Sequence, residues 1–143
     1  MNEGGSAMLT TWNEIRDVLS RYPVRGQQPN VMTIELSLRD GEPGLLFQVV
    51  STELAGRACI VLGVNVLPET QVVLGAALRL NSNLVHGALT AFRGWVMLRH
   101  VMNVGRFDAD ELRAVLVMMA FTVEYAQAQL AQRPSPVAAT FAD

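Results

Sequence analysis

The stretch Leu84-Val-His-Gly-Ala-Leu-Thr-Ala-Phe92, Arg93-Gly94, Trp95-Val-Met-Leu-Arg-His-Val-Met102 decides the fold. Two apolar runs flank a two-residue turn, the pattern of a β-hairpin. A helix follows from Asp108 to about Leu130, with Asp108 and Glu111 at capping-box spacing. Its centre, Ala114-Val-Leu-Val-Met-Met-Ala-Phe121, is apolar on all sides. A helix lying on one sheet needs a single apolar stripe. The surplus leaves two readings: a central helix packed on both sides, or a helix whose second side meets a subunit or partner.

Working outward, Thr11-Trp12-Asn13-Glu14 repeats the capping box, and Trp12, Ile15, Val18, Leu19 and Tyr22 recur at helical spacing before Pro23. Arg25 to Asn30 reads as a polar connection. Val31 to Arg39 alternates, with Met32, Ile34, Leu36 and Leu38 on one side, as a half-buried strand does. Asp40-Gly-Glu-Pro-Gly44 is a turn by composition, followed by a strand over Leu45–Thr52 and a turn around Gly56. Ala58 to Leu67 is continuously apolar, which suits a central strand. Pro68 suits the first position of a helix to about Leu80, ended by Asn81-Ser-Asn83.

The expected architecture is therefore α+β: helix, three-stranded antiparallel meander, helix, strand hairpin and long C-terminal helix. A single domain over residues 9–131 is expected, between a disordered N-terminus (1–8) and a disordered tail (132–143).

Composition narrows the function. The chain has 143 residues, 50% hydrophobic and only 17% charged, which fits a domain hiding part of its surface in an oligomer. All eleven basic residues are Arg, dispersed along the chain, and the net charge is −2, so nothing favours nucleic acid. The first residues lack the basic and apolar regions of a secretory signal, and no apolar run approaches the ~20 residues that span a bilayer. With Cys59 the only cysteine, an internal disulfide is excluded and a cytoplasmic location is expected.

Candidate chemistry is sparse. If Arg93-Gly94 is a two-residue loop, Phe92 pairs with Trp95, and His86 and His100 fall on opposite sheet faces, unable to share a metal; a one-residue shift would bring them together. Cys59 sits inside an apolar strand, where it behaves as a small hydrophobe. Asp108, Asp110 and Glu111 occupy a helix start, where acids cap amides. Asp40-Gly-Glu-Pro-Gly44 lacks the Lys-Ser/Thr of a phosphate loop. No catalytic, cofactor or metal site is expected.

The same register puts Val85, Leu89, Ala91, Val96, Leu98 and Met102 on a core face, with His100 near its end. Phe92, Trp95, Met97 and Arg99 fall on the more polar face. Aromatics, Met and Arg are enriched in interface cores. These four, with Val117, Met118 and Phe121 of the long helix, form the expected partner or dimer interface. Cover by the first helix or by the tail is the other reading of the hairpin aromatics.

The order of elements resembles the type III secretion chaperone-like fold, shared by class I secretion chaperones and YbjN-like bacterial proteins. The likeness is best over Leu74–Ala126. There a helix ends in Leu80-Asn-Ser-Asn83, and the strand Leu84–Phe92 follows. Next come Trp95-Val-Met-Leu-Arg99, a strand of the "lvL-r" kind, and Gly105-Arg-Phe-Asp108 leading into an acidic-capped helix. The resemblance covers roughly Trp12 to Leu130. It implies a small cytoplasmic protein, usually a homodimer, that binds a partner polypeptide and has no enzymatic activity. A domain of another class, binding a small molecule or catalysing a reaction in a pocket near Cys59 and His100, is the alternative.

Overall fold

The computed structural model describes residues 7–131. In chain order the elements are α1 (Trp12–Leu19), β1 (Val24–Gln28), β2 (Val31–Leu36), β3 (Leu45–Leu54), β4 (Arg57–Pro68), a short 3₁₀ turn (Glu69–Gln71), α2 (Leu74–Asn81), β5 (Ala88–Phe92), β6 (Trp95–Asn103) and α3 (Ala109–Leu130). The strands form one sheet in the order β1-β2-β3-β4-β6-β5, antiparallel throughout. The expected α+β class and order of helices hold, and β4 is central as its continuous apolar run requires.

The helices share one face of the sheet. Ile15, Val18 and Leu19 of α1, Ala77 and Leu80 of α2, and Leu112, Leu116, Met119 and Val123 of α3 join Ile34, Phe47, Ile60, Leu62 and Leu98 of the sheet in one core. Both capping boxes form: Thr11 Oγ1 accepts from the Glu14 amide at 3.1 Å, and Asp108 Oδ1 from the Glu111 amide at 2.8 Å. Each satisfies an amide that the first helical turn would leave orphaned.

Several expectations are corrected. Residues 24–28 are a strand, not a connection: β1 pairs with β2 along the sheet edge. All five of its residues are exposed, so no apolar alternation marks it. Its bulge beside Arg25 accompanies the Arg25–Glu35 ion pair at 2.7 Å. Pro68 does not start a helix. It ends β4 opposite Trp95, where a residue without an N–H is tolerated, and α2 begins only at Leu74.

The terminal hairpin begins at Ala88 instead of Leu84. Gly87 lies at φ +97°, and a Cβ there would come within 2.8 Å of the Arg99 carbonyl, so no other residue fits without a shift. Alternation cannot be carried back through that point. Val85 is 85% exposed instead of buried, Ala91 is also exposed, and His86 meets His100 edge to face with ring centroids 5.8 Å apart. The two imidazoles are neighbours, not on opposite faces.

The leader and tail expected at 1–8 and 132–143 fall outside the described residues, apart from Ala7 and Met8. Met8 forms a bridge with Asp108, and the Leu9 amide donates to the Phe107 carbonyl at 2.8 Å.

Candidate polypeptide-binding surface

The face of the sheet opposite the helices carries the alternate residues of the same strands. Register aligns Val31, Val50, Val61 and Val101 across β2, β3, β4 and β6, and Gln48, Gly63 and Arg99 in the neighbouring row. Met97 lies over Gly63: a Cβ at Gly63 would stand 3.2 Å from Met97 Cε, so the missing side chain makes room for the thioether. A groove of about 720 Å³ runs across this surface, lined mainly by Val50, Leu54, Val61, Phe92, Met97 and Val101, with Arg99, Gln48 and Thr52 supplying polar atoms. The Thr90 hydroxyl, opposite Met97, is buried without a hydrogen-bond partner.

The Phe92–Trp95 register forms as expected, closed by Arg93 and Gly94 at φ +51° and +84°. Positive φ at both central residues gives the turn whose twist suits a hairpin. The Arg93 guanidinium sits 5.0 Å from the Phe92 ring centroid, a cation–π contact at the hairpin tip. Phe92 is 52% and Trp95 39% exposed, so neither α1 nor any other described element covers them.

The expected interface residues divide between two surfaces. Phe92, Trp95, Met97 and Arg99 lie together on the open sheet face. Val117, Met118 and Phe121 lie on α3, whose opposite side is buried on the inner sheet face, so they look away from the sheet. Leu46, Val50, Leu54, Val61 and Val101 complete the sheet surface, and Tyr125 extends the helix surface. The alternation of Leu46, Gln48, Val50, Thr52 and Leu54 was the signal available for the β3 contribution.

The two free sheet edges differ. On β5 the Asn81 carboxamide accepts from the Leu89 amide at 2.6 Å and donates to the Leu89 carbonyl at 3.2 Å. One side chain thereby occupies the backbone groups that an added strand would use. Among the described residues, β1 shows no such side-chain cover of its backbone; the Arg25–Glu35 pair lies on its flank.

Acid–base or metal chemistry finds little support here. Cys59 pairs with Thr52 and Asn103 in register, and His100 with Leu62, which sets them on opposite sheet faces and separates the two residues of the alternative pocket. No group of three or more His, Cys, Asp or Glu among the described residues could hold a metal ion. Burial, reinforced by His86, lowers the His100 pKa below its ordinary value of 6.5. The Arg25 guanidinium and the Gly44 amide hold Glu35 below the usual carboxylate range. No helix among the described residues is long and apolar enough to cross a membrane.

No family model matches the sequence, and no curated protein matches it either. Solved structures do. A chain of the ExsC–ExsE complex superposes with a TM-score of 0.65 at 12% identity, over 86% of this chain and 98% of that one. A chain of the HopA1–SchA chaperone–effector complex superposes with a TM-score of 0.55, also at 12% identity, over 79% and 92%. The fold is the secretion chaperone-like one. At this identity the likeness is one of fold alone.

Proposed function

We propose that this chain is a non-enzymatic, cytoplasmic protein-binding module, chaperone-like or regulatory, that acts as a homodimer and holds a partner polypeptide on its sheet and apolar surface. The observation that carries the reading is the open sheet face, where Val50, Val101, Met97 and Phe92 line one apolar groove beside Arg99, over the more buried Val61 and with the exposed Trp95 paired to Phe92. Contiguous exposed apolar surface with a polar rim is characteristic of interaction sites. Both similar structures are complexes of two proteins, one of them described as a chaperone with its effector, which supports a polypeptide as the ligand class.

Recognition by strand addition fits this sheet: backbone pairing supplies affinity and side-chain pockets supply selectivity. With the β5 edge engaged by Asn81, β1 is the edge we assign to an incoming strand. Its exposed residues Arg25, Gln27 and Gln28 are polar, which limits self-pairing.

Affinity capture with the full chain from its native cell, followed by titration of the purified partner, tests the reading. The expected result is saturable binding to the wild-type chain that is lost in Val101→Arg or Trp95→Glu. Equal binding by wild type and both folded variants overturns the assignment to this face. Capture of a small metabolite with turnover, and of no protein, overturns the function.

A further inference from the structure

The open sheet face differs from the rest of the molecule in charge as well as in exposure. The chain as a whole carries a net charge of −2. Register nevertheless assigns two cations to this face, Arg99 on β6 and Arg57 opposite Leu54 at the β3–β4 turn. A third, Arg93, stands over the Phe92 ring at the hairpin tip. From Arg57 to Gly63, the register partner of Arg99, is about 20 Å of strand at the usual rise. The cations are therefore spread along the groove, one near its middle and one towards each end.

Acids do not balance them. By the same register Glu35 is the one acid of β2 to β6 on this face, and Arg25 and the Gly44 amide already engage it. Glu53 falls in the rows of the helix side. No ion pair among the described residues engages Arg57, Arg93 or Arg99.

We propose that the partner segment held on this face is an extended stretch with an acidic residue at position i and apolar residues at i−2 and i+2, its carboxylate seated on Arg99. The assignment rests on the polypeptide reading above and gives that ligand a chemistry.

The row of β6 sets the pattern. Met97, Arg99 and Val101 stand two residues apart along one side of the groove, a cation between two apolar side chains. An extended ligand also directs every second side chain to one side, with nearly the same repeat. Laid along β6, it places its i−2, i and i+2 side chains over these three residues.

Desolvation makes the central position selective. Arg99 is exposed in the free chain, where water satisfies it. A wholly apolar ligand would strip that water and leave the guanidinium unpaired, and a basic one would add repulsion. A carboxylate offsets the loss through charge-assisted, bidentate hydrogen bonds. The Thr90 hydroxyl, diagonal to Arg99 across the β5–β6 pair, is buried with no partner and is a further donor close to the same spot.

The same charges disfavour a second copy on this face. Stacking two such surfaces would bring both sets of arginines into one interface with no free acid to offset them.

Panning a phage-displayed library of random dodecamers against the full chain tests this, followed by titration of the synthetic peptides that emerge. Circular dichroism checks each variant, and the exposure of Arg99 means that its replacement should leave the fold intact. Enriched peptides are expected to carry Asp or Glu with apolar residues two positions to either side. Arg99→Gln should weaken such a peptide about tenfold, as loss of a charge-assisted bond does. Arg99→Glu should weaken it further, and a lysine in place of the peptide's acid should restore binding to that variant. A merely structural role for Arg99 would not give this reciprocal rescue.

Apolar peptides without acidic preference, bound equally by wild type and Arg99→Gln, overturn the acidic assignment while the polypeptide reading stands. No enriched peptide overturns both, as does Arg99-dependent binding of dodecanoate alone. A dimer in sedimentation that dissolves in Val101→Arg gives the face to a second copy and overturns the assignment as well.

Discussion

The inner and outer faces of this sheet are made of alternate residues in the same strands, and valine occupies both. Val49 is completely buried under the helices, while Val50, next in sequence, lines the open groove. On β6, Leu98 is fully buried between Met97 and Arg99, and Val101 is 48% exposed one residue before the buried Met102. Residue type does not separate the faces. What separates them is that α1, α2 and α3 all cross to the same side. An apolar residue beneath them contributes to folding, and an apolar residue opposite them contributes little until something is laid on it.

The largest contrast should come from truncating matched residues on the two faces. Leu98→Ala leaves a cavity in a packed core and should destabilise the domain by ~2–5 kcal/mol. Val101→Ala should stay within about 0.5 kcal/mol, as surface changes usually do. Urea denaturation of both variants checks the pair, and a similar cost at both sites would mean that the outer face is covered in solution.

Trp95 sharpens the comparison through binding. Trp95→Ala should weaken partner capture or association by ~2 kcal/mol or more while moving the melting temperature by only a few degrees. Loss of folding, with normal binding by the fraction that remains folded, would make Trp95 a core residue and dissolve the distinction at that end of the hairpin.

At the sheet edge, Asn81→Ala removes both side-chain hydrogen bonds to Leu89. A loss of ~1 kcal/mol is expected in thermal denaturation, together with concentration-dependent light scattering as the β5 edge becomes available for pairing. Unchanged scattering would argue that the edge needs no guard.

The smallest effect concerns pH. His100 is half-buried on the helix side of the sheet, and its pKa is lowered, so the unfolded chain binds the proton more readily than the folded one. Stability is then complete above the ordinary value of 6.5. It falls as pH drops from there towards the lowered folded value, and levels off below it. His100→Gln should flatten this slope in denaturation curves taken between pH 7.5 and 5. A slope that persists unchanged must come from other groups.

Much of the candidate surface was legible before the fold was known. Arg93-Gly94 fixes the pairing of Phe92 with Trp95, and a period of two then separates Met97 and Arg99 from Val96 and Leu98 without tertiary information. That inference failed where its physical premise failed. At Gly87 the backbone turns to positive φ, the pleat ends, and His86 swings beside His100. β1 was missed for a related reason: an edge strand exposed on all sides has nothing to bury, so its pairing leaves no mark in the hydrophobic pattern. Pro68 illustrates competing signals, since the same fixed φ suits a helix start and a strand end, and pairing with Trp95 decides between them.

By itself the sequence determined the local elements that a short period or a side-chain cap can specify. These are the two capped helices, the alternating strand over Met32–Leu36, the central apolar strand, and the hairpin with its turn. It also required that α3 hold more apolar surface than one sheet contact can use. Only the tertiary structure decided where the excess went. Placing all three helices on one side of the sheet buried Leu112, Leu116 and Met119 and left Val117, Met118 and Phe121 on the far side of α3. The same placement left Phe92, Trp95 and Met97 on a different surface altogether. The reason is geometric: periodicity assigns a residue to a face, but which face is covered depends on the path of chain segments distant in sequence.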